Sequence, residues 1–148
     1  MIHIRTQRDF SQPGLIERAA RETLRHQAVL GDPDLTIVIT DDERLRELNR
    51  QYLGLNEPTD VLAFPSKETD PDSGARYLGD VTISLPRAEQ QAREAGHALP
   101  DEVQLLVVHG VLHLLGHDHE KPEDKAHMWH AQRQILALLG TKRVKLLD

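Results

Sequence analysis

The segment His109-Gly110-Val111-Leu112-His113-Leu114-Leu115-Gly116-His117-Asp118-His119 sets two histidines four residues apart and a third just beyond a glycine. On a helix, residues four apart project from one face, one turn from each other, within reach of a single ion. Gly116 suits the left-handed backbone that ends a helix. The chain then doubles back and returns His119 to the same point. Three neutral imidazoles leave one position of a tetrahedral zinc ion open to water, as in catalytic rather than closed structural sites. Histidines packed singly in a core would not cluster this way: six of the nine lie between 109 and 130. The pattern predicts one Zn2+ ion held by His109, His113 and His119 at a helix C-terminus, with hydrolysis as the leading chemistry.

The spacing His-x3-His-x2-Gly-x2-His resembles that of the metzincin peptidases, with one difference that changes the chemistry. Those enzymes carry Glu directly after the first histidine, as general base towards metal-bound water. Here the position is Gly110, which moves no proton. A hydrolase built this way needs another proton acceptor, or a substrate such as a phosphodiester whose own oxygens assist. No residue is assigned as catalytic base. Asp118 could take the proton; it could equally cap the turn or fix the tautomer of a ligand imidazole.

Outward from this segment, the chain reads as an α+β domain. Ile2 and Ile4 alternate with polar residues as in an edge strand. A helix is expected from Leu15 to Val29, where Leu15, Ile16, Ala19, Ala20, Thr23 and Leu24 recur at helical spacing opposite Arg18, Arg21 and Arg25. Leu35–Thr40 is rich in branched residues and predicts a buried strand. A helix begins at the acidic run Asp41-Asp42-Glu43, turns Leu45, Leu48 and Tyr52 inward, and stops at Gly54. Strands follow at 61–64 and 81–85, the first closed by Pro65 and the second by Pro86, around an exposed loop at 66–76. Helices are expected from Arg87 to about Ala95, from Pro100 through the histidines, and from Pro122 with Met128, Trp129, Ile135, Leu136 and Leu139 buried. The expectation is a single domain over 1–148: a four-stranded mixed sheet packed with about five helices.

Three blocks carry a family resemblance. The histidine segment resembles the His-Gly-x-Leu-His-Leu-x-Gly-x-Asp-His signature of the bacterial YbeY family. Pro58-Thr59-Asp60-Val61-Leu62-Ala63-Phe64-Pro65 resembles its Pro-Thr-Asp-Val-Leu-Ser-Phe-Pro, and Gly79-Asp80-Val81-Thr82-Ile83-Ser84 its Gly-Asp-Ile-x-Ile-Ser. The likeness runs from about residue 35 to 140. It implies a metal-dependent, single-strand-directed endoribonuclease that matures small-subunit ribosomal RNA and serves ribosome quality control, with the ribosomal small subunit as partner. Two positions depart from the pattern. Leu53 stands where the family has an Arg thought to serve the RNA, and Ala63 replaces a Ser. Arg50, one helical turn earlier, is a candidate substitute.

Composition fits these expectations. A chain of 148 residues can bury a core unaided. It has no cysteine, so any metal site uses nitrogen and oxygen ligands. No apolar run approaches a membrane span and no signal peptide opens the chain, so a cytoplasmic protein without membrane contact or small-molecule cofactor is expected. The net charge of −6 argues mildly against nucleic acid, although an enzyme acting on RNA held by a large assembly needs less positive surface. The arginine stripes read as solvated faces. His117 is expected to face solvent, His127 and His130 to lie on a helix surface, and Asp60 and Asp80 to cap strand ends. Two other functions stay open: a metallopeptidase-like hydrolase, which Gly110 opposes, and a non-catalytic ribosome-assembly factor with a structural metal.

Overall fold

The computed structural model describes residues 1–141. In chain order it contains β1 (Ile2–Thr6), α1 (Pro13–His26), β2 (Asp34–Thr40), α2 (Asp42–Leu53), β3 (Val61–Pro65), β4 (Tyr77–Ser84), α3 (Leu85–Ala95), α4 (Leu99–Leu114) and α5 (Pro122–Leu139). The strands form one four-stranded mixed sheet, as expected, and their order is β1-β2-β4-β3. β2 runs parallel to β1 and β4, while β3 is an antiparallel edge strand on β4.

Side chains alternate across a strand, and that alternation sorts the two sheet faces. Leu35, Ile37 and Ile39 of β2 and Val81 and Ile83 of β4 are fully buried in the core shared with the helices. Burying each of these side chains contributes roughly 1.5–3 kcal/mol. Thr36, Val38, Asp80 and Thr82 point to the other face. α4 is the hub: every residue from Glu102 to Leu112 is buried, and the helix packs against α1, α3, α5, β3 and β4. A helix apolar around its whole circumference belongs in a core. Near its start His97 Nε2 lies 2.8 Å from Glu102 Oε2, both side chains buried.

Several boundaries differ from expectation, each for a local reason. β4 begins at Tyr77 rather than 81, because Gly79-Asp80 hides its first half from a pattern of branched residues. Gly79 adopts φ +134°, and a Cβ there would lie 2.1 Å from the Phe64 carbonyl oxygen of the neighbouring strand. Pro86 sits in the first turn of α3, whose N-cap is Ser84 accepting the Arg87 N–H at 3.3 Å. α1 runs from Pro13 and ends at His26, short of Val29, where Ala28 takes φ 55°. Tyr52 is not inward but 61% exposed, tilted against Phe64 at 5.2 Å between ring centres.

Candidate metal centre

His109 and His113 occupy the C-terminal half of α4, the element held most firmly by packing. The helix ends where the residues require it. Gly116 takes φ 99°; its N–H donates to the His113 carbonyl and that of His117 to the Leu112 carbonyl, both at 3.0 Å. This paired closure satisfies the orphan carbonyls of the last turn. The chain reverses, the Asp118 carboxylate accepts the His119 N–H at 2.7 Å, and His119 comes back to the helix. One nitrogen from each of His109, His113 and His119 then lies within 4.8 Å of the others. Ring centres are 4.7, 5.2 and 5.6 Å apart.

The nitrogen spacing tests whether a metal fits. A tetrahedral zinc ion with nitrogens at 2.0–2.1 Å sets ligand atoms about 3.3 Å apart. His109 Nε2 and His113 Nε2 are separated by 3.2 Å. Protonation agrees: burial, with smaller contributions from His113 and His119, pushes the His109 pKa down to about 4. Burial also lowers that of His113, with His119 next. Both rings are therefore neutral near pH 7, the form that coordinates.

One residue of the site escaped the sequence reading. Gln132 Oε1 accepts the His109 Nδ1–H at 2.6 Å, both side chains buried. That bond keeps the proton on Nδ1 and turns the Nε2 lone pair towards His113, the role outer carboxamides and carboxylates play around metals. A signal existed: Gln132 is a polar residue on the apolar stripe of α5 that carries Met128, Ile135 and Leu139.

The histidines open into a cleft of about 450 Å³ walled by Val61–Ala63 of the edge strand, Leu53, Trp129 and Gly110. Gly110 has a packing reason. A Cβ there would meet Val81 Cγ1 at 2.5 Å, so α4 rests directly on β4 and no Glu fits at this position without moving the helix. Trp129 stands edge-on to His119 and His109, 5.7 and 6.0 Å away. Among the described residues no Arg or Lys lines the cleft.

Other predicted residues fall outside the cluster or take structural roles. Asp60 lines the cleft, but its Oδ1 accepts the Val61 N–H at 2.8 Å, the strand-end cap expected of it. Asp80 accepts from the Tyr77 hydroxyl on the opposite sheet face. His117 does not face solvent; it is half-buried, its Nε2 2.7 Å from Gln27 Oε1. His127 and His130 are exposed, as expected. Arg50 is exposed and lines neither large cavity. Arg21 and Arg25 pair with Glu17 and Glu22 along α1, a solvated face. A larger cavity of about 610 Å³ lies on the far face of the sheet, between Arg5, Arg44, Tyr77 and Phe64. It holds no cluster of possible metal ligands among the described residues.

Three convergent imidazoles at the end of a buried helix, open to a cleft, define the class: an α+β protein with a histidine cluster that could hold a metal ion. The model of the family "Endoribonuclease YbeY" matches residues 3–140. The Endoribonuclease YbeY of Roseiflexus castenholzii is 46% identical over 134 residues, 87% of this chain and 84% of the relative. That of Pelotomaculum thermopropionicum is 43% identical over 138 residues, 91% of each chain. The solution structure of TM1509 from Thermotoga maritima superposes with a TM-score of 0.63 at 28% identity, over 92% of this chain and 87% of that one. The chain belongs to the YbeY endoribonuclease family.

Proposed function

We propose that this protein is a metal-dependent endoribonuclease that cuts single-stranded segments of small-subunit ribosomal RNA during maturation and ribosome quality control. One zinc ion is held by His109, His113 and His119, and the protein works in the cytoplasm. The observation that supports this most is the convergence of the three imidazoles at the floor of an open cleft, in a chain of this family. Among the described residues no helix is long and apolar enough to cross a membrane.

When bound, a zinc ion supplies Lewis acidity and a more acidic water. The chain's own residues do the rest. Gln132 holds the Nδ1 proton of His109 and aims the ring. Asp118 locks the turn that delivers His119. Val61–Ala63 and Trp129 wall the cleft. The contact between Gly110 and Val81 opposes the metallopeptidase alternative, because the position of that base is filled by packing. The test is cleavage of structured ribosomal RNA fragments by zinc-loaded protein, against a variant with all three histidines changed to Ala. Cleavage by the native protein alone supports the reading; equal cleavage by both, or none by either, refutes it.

A further inference from the structure

The cleft of the proposed nuclease has a ligand wall and an edge-strand wall but no cation on its lining among the described residues. A substrate phosphodiester brings a charge next to that lining, and Leu53 offers it nothing. Trp129 is a half-buried aromatic ring that lines the cleft beside His119. One turn earlier on α5, the ammonium of Lys125 lies 5.5 Å from the centre of the Trp129 ring. Lys125 is exposed and makes no ion pair among the described residues. Residues four apart share a helix face, so ring and ammonium form one unit on the Trp129 side of the cleft. By their contacts Lys125 lies within about 11 Å of the His119 ring centre, an upper bound given by adding the two separations.

We infer that Trp129 and Lys125 form a nucleotide subsite beside the three histidines: the indole stacks a base of single-stranded RNA, and the ammonium contacts a phosphate. This rests on the nuclease reading and names how its substrate is held. Stacking on an aromatic side chain is the common way to grip unpaired bases, and it tolerates any sequence because every base has a π-face. An exposed cation over an aromatic face is weakly held, so Lys125 can leave the ring for a phosphate as a base arrives. Such a subsite favours single strands over duplexes, because a base stacked within a duplex cannot lie on the indole.

Trp129 is the only tryptophan of the chain, so its fluorescence reports the event directly. The probe is a single-stranded RNA hexamer with phosphorothioate linkages, titrated into the zinc-loaded full chain, with a duplex of the same sequence in parallel. Saturable quenching by the single strand and not by the duplex is expected. Trp129→Leu should weaken hexamer binding by about five- to a hundredfold, raising KM for RNA cleavage with kcat little changed. Trp129→Phe should recover most of that loss. Lys125→Ala should weaken binding several-fold and lower the salt slope by about one charge. Zinc content should be unchanged in all three variants. The inference is overturned if the duplex quenches equally, or if Trp129→Leu lowers kcat or zinc content instead, since the ring then only props the histidines. RNA cleavage without hexamer quenching overturns the subsite and leaves the nuclease reading standing; quenching without cleavage does the reverse.

Discussion

Replacing Gln132 by Leu separates holding a metal from holding a fold. In the native protein the His109 Nδ1–H donates 2.6 Å to Gln132 Oε1, inside the core. Without that acceptor, the metal-free protein has a remedy. His109 can move its proton to Nε2 and donate across the 3.2 Å gap to His113 Nε2. Gln132 Nε2 is itself buried without a partner, so removing it also relieves a penalty. The metal-free variant should therefore stay within about 1 kcal/mol of native stability. The metal-bound state has no such remedy, because Nε2 must carry a lone pair and Nδ1–H is then orphaned. A buried unpaired donor costs about 1–3 kcal/mol, which converts to roughly five- to a hundredfold in zinc affinity. That agrees with the tenfold to hundredfold usual for lost outer partners. Competition against a zinc-binding dye, beside urea unfolding of the metal-free protein, reads both quantities. A zinc affinity within twofold of native would refute the reasoning, as would a loss of stability with no loss of affinity.

Three further outcomes follow from the same geometry. The His109 pKa falls from an unfolded value near 6.5 to about 4 through burial. The metal-free protein should therefore be fully stable above pH 6.5 and lose up to roughly 3 kcal/mol as pH drops from 6.5 towards 4; urea midpoints unchanged between pH 7.5 and 4.5 would contradict this. Gly110→Ala drives a Cβ to 2.5 Å from Val81 Cγ1, so overpacking should cost about 1–3 kcal/mol and lower Tm by several degrees, with Val81→Ala restoring part of the loss. Leu53 lines the cleft, so Leu53→Arg should tighten RNA binding about tenfold to a hundredfold with zinc content unchanged, while Arg50→Ala, outside the lining, should leave binding within twofold.

What could be read from the chain was what local chemistry dictates. The strand Leu35–Thr40, the helix that stops at Gly54 and the turn at Gly116 each carry their own signal in branched residues, acidic starts and glycine ends. The His109–His113–His119 cluster was legible because its pieces lie within eleven residues and helical geometry alone nearly closes it. Features that depend on two distant segments were not. Gly110 read as a missing base, whereas its reason is Val81, on a strand joined to it only by tertiary packing. Gln132 meets His109 across two helices, and its place on an apolar stripe was the one hint. Tyr52 sits at an inward-looking helical position, yet it borders the far-face cavity with its ring against Phe64 and stays largely exposed. Gly79 broke the pattern of β4 because its neighbour's carbonyl, not its own sequence, demands a glycine.

The central claim is that one metal, held by three histidines, is what makes this protein act on RNA. Zinc content and RNA cleavage, measured on the same preparations of native and His113→Ala protein after dialysis against a mild chelator, test it most directly. The native protein should keep one equivalent and cut; the variant should lose both the metal and the cleavage. A His113→Ala protein that keeps a full equivalent of zinc, or that still cuts without it, would contradict the account.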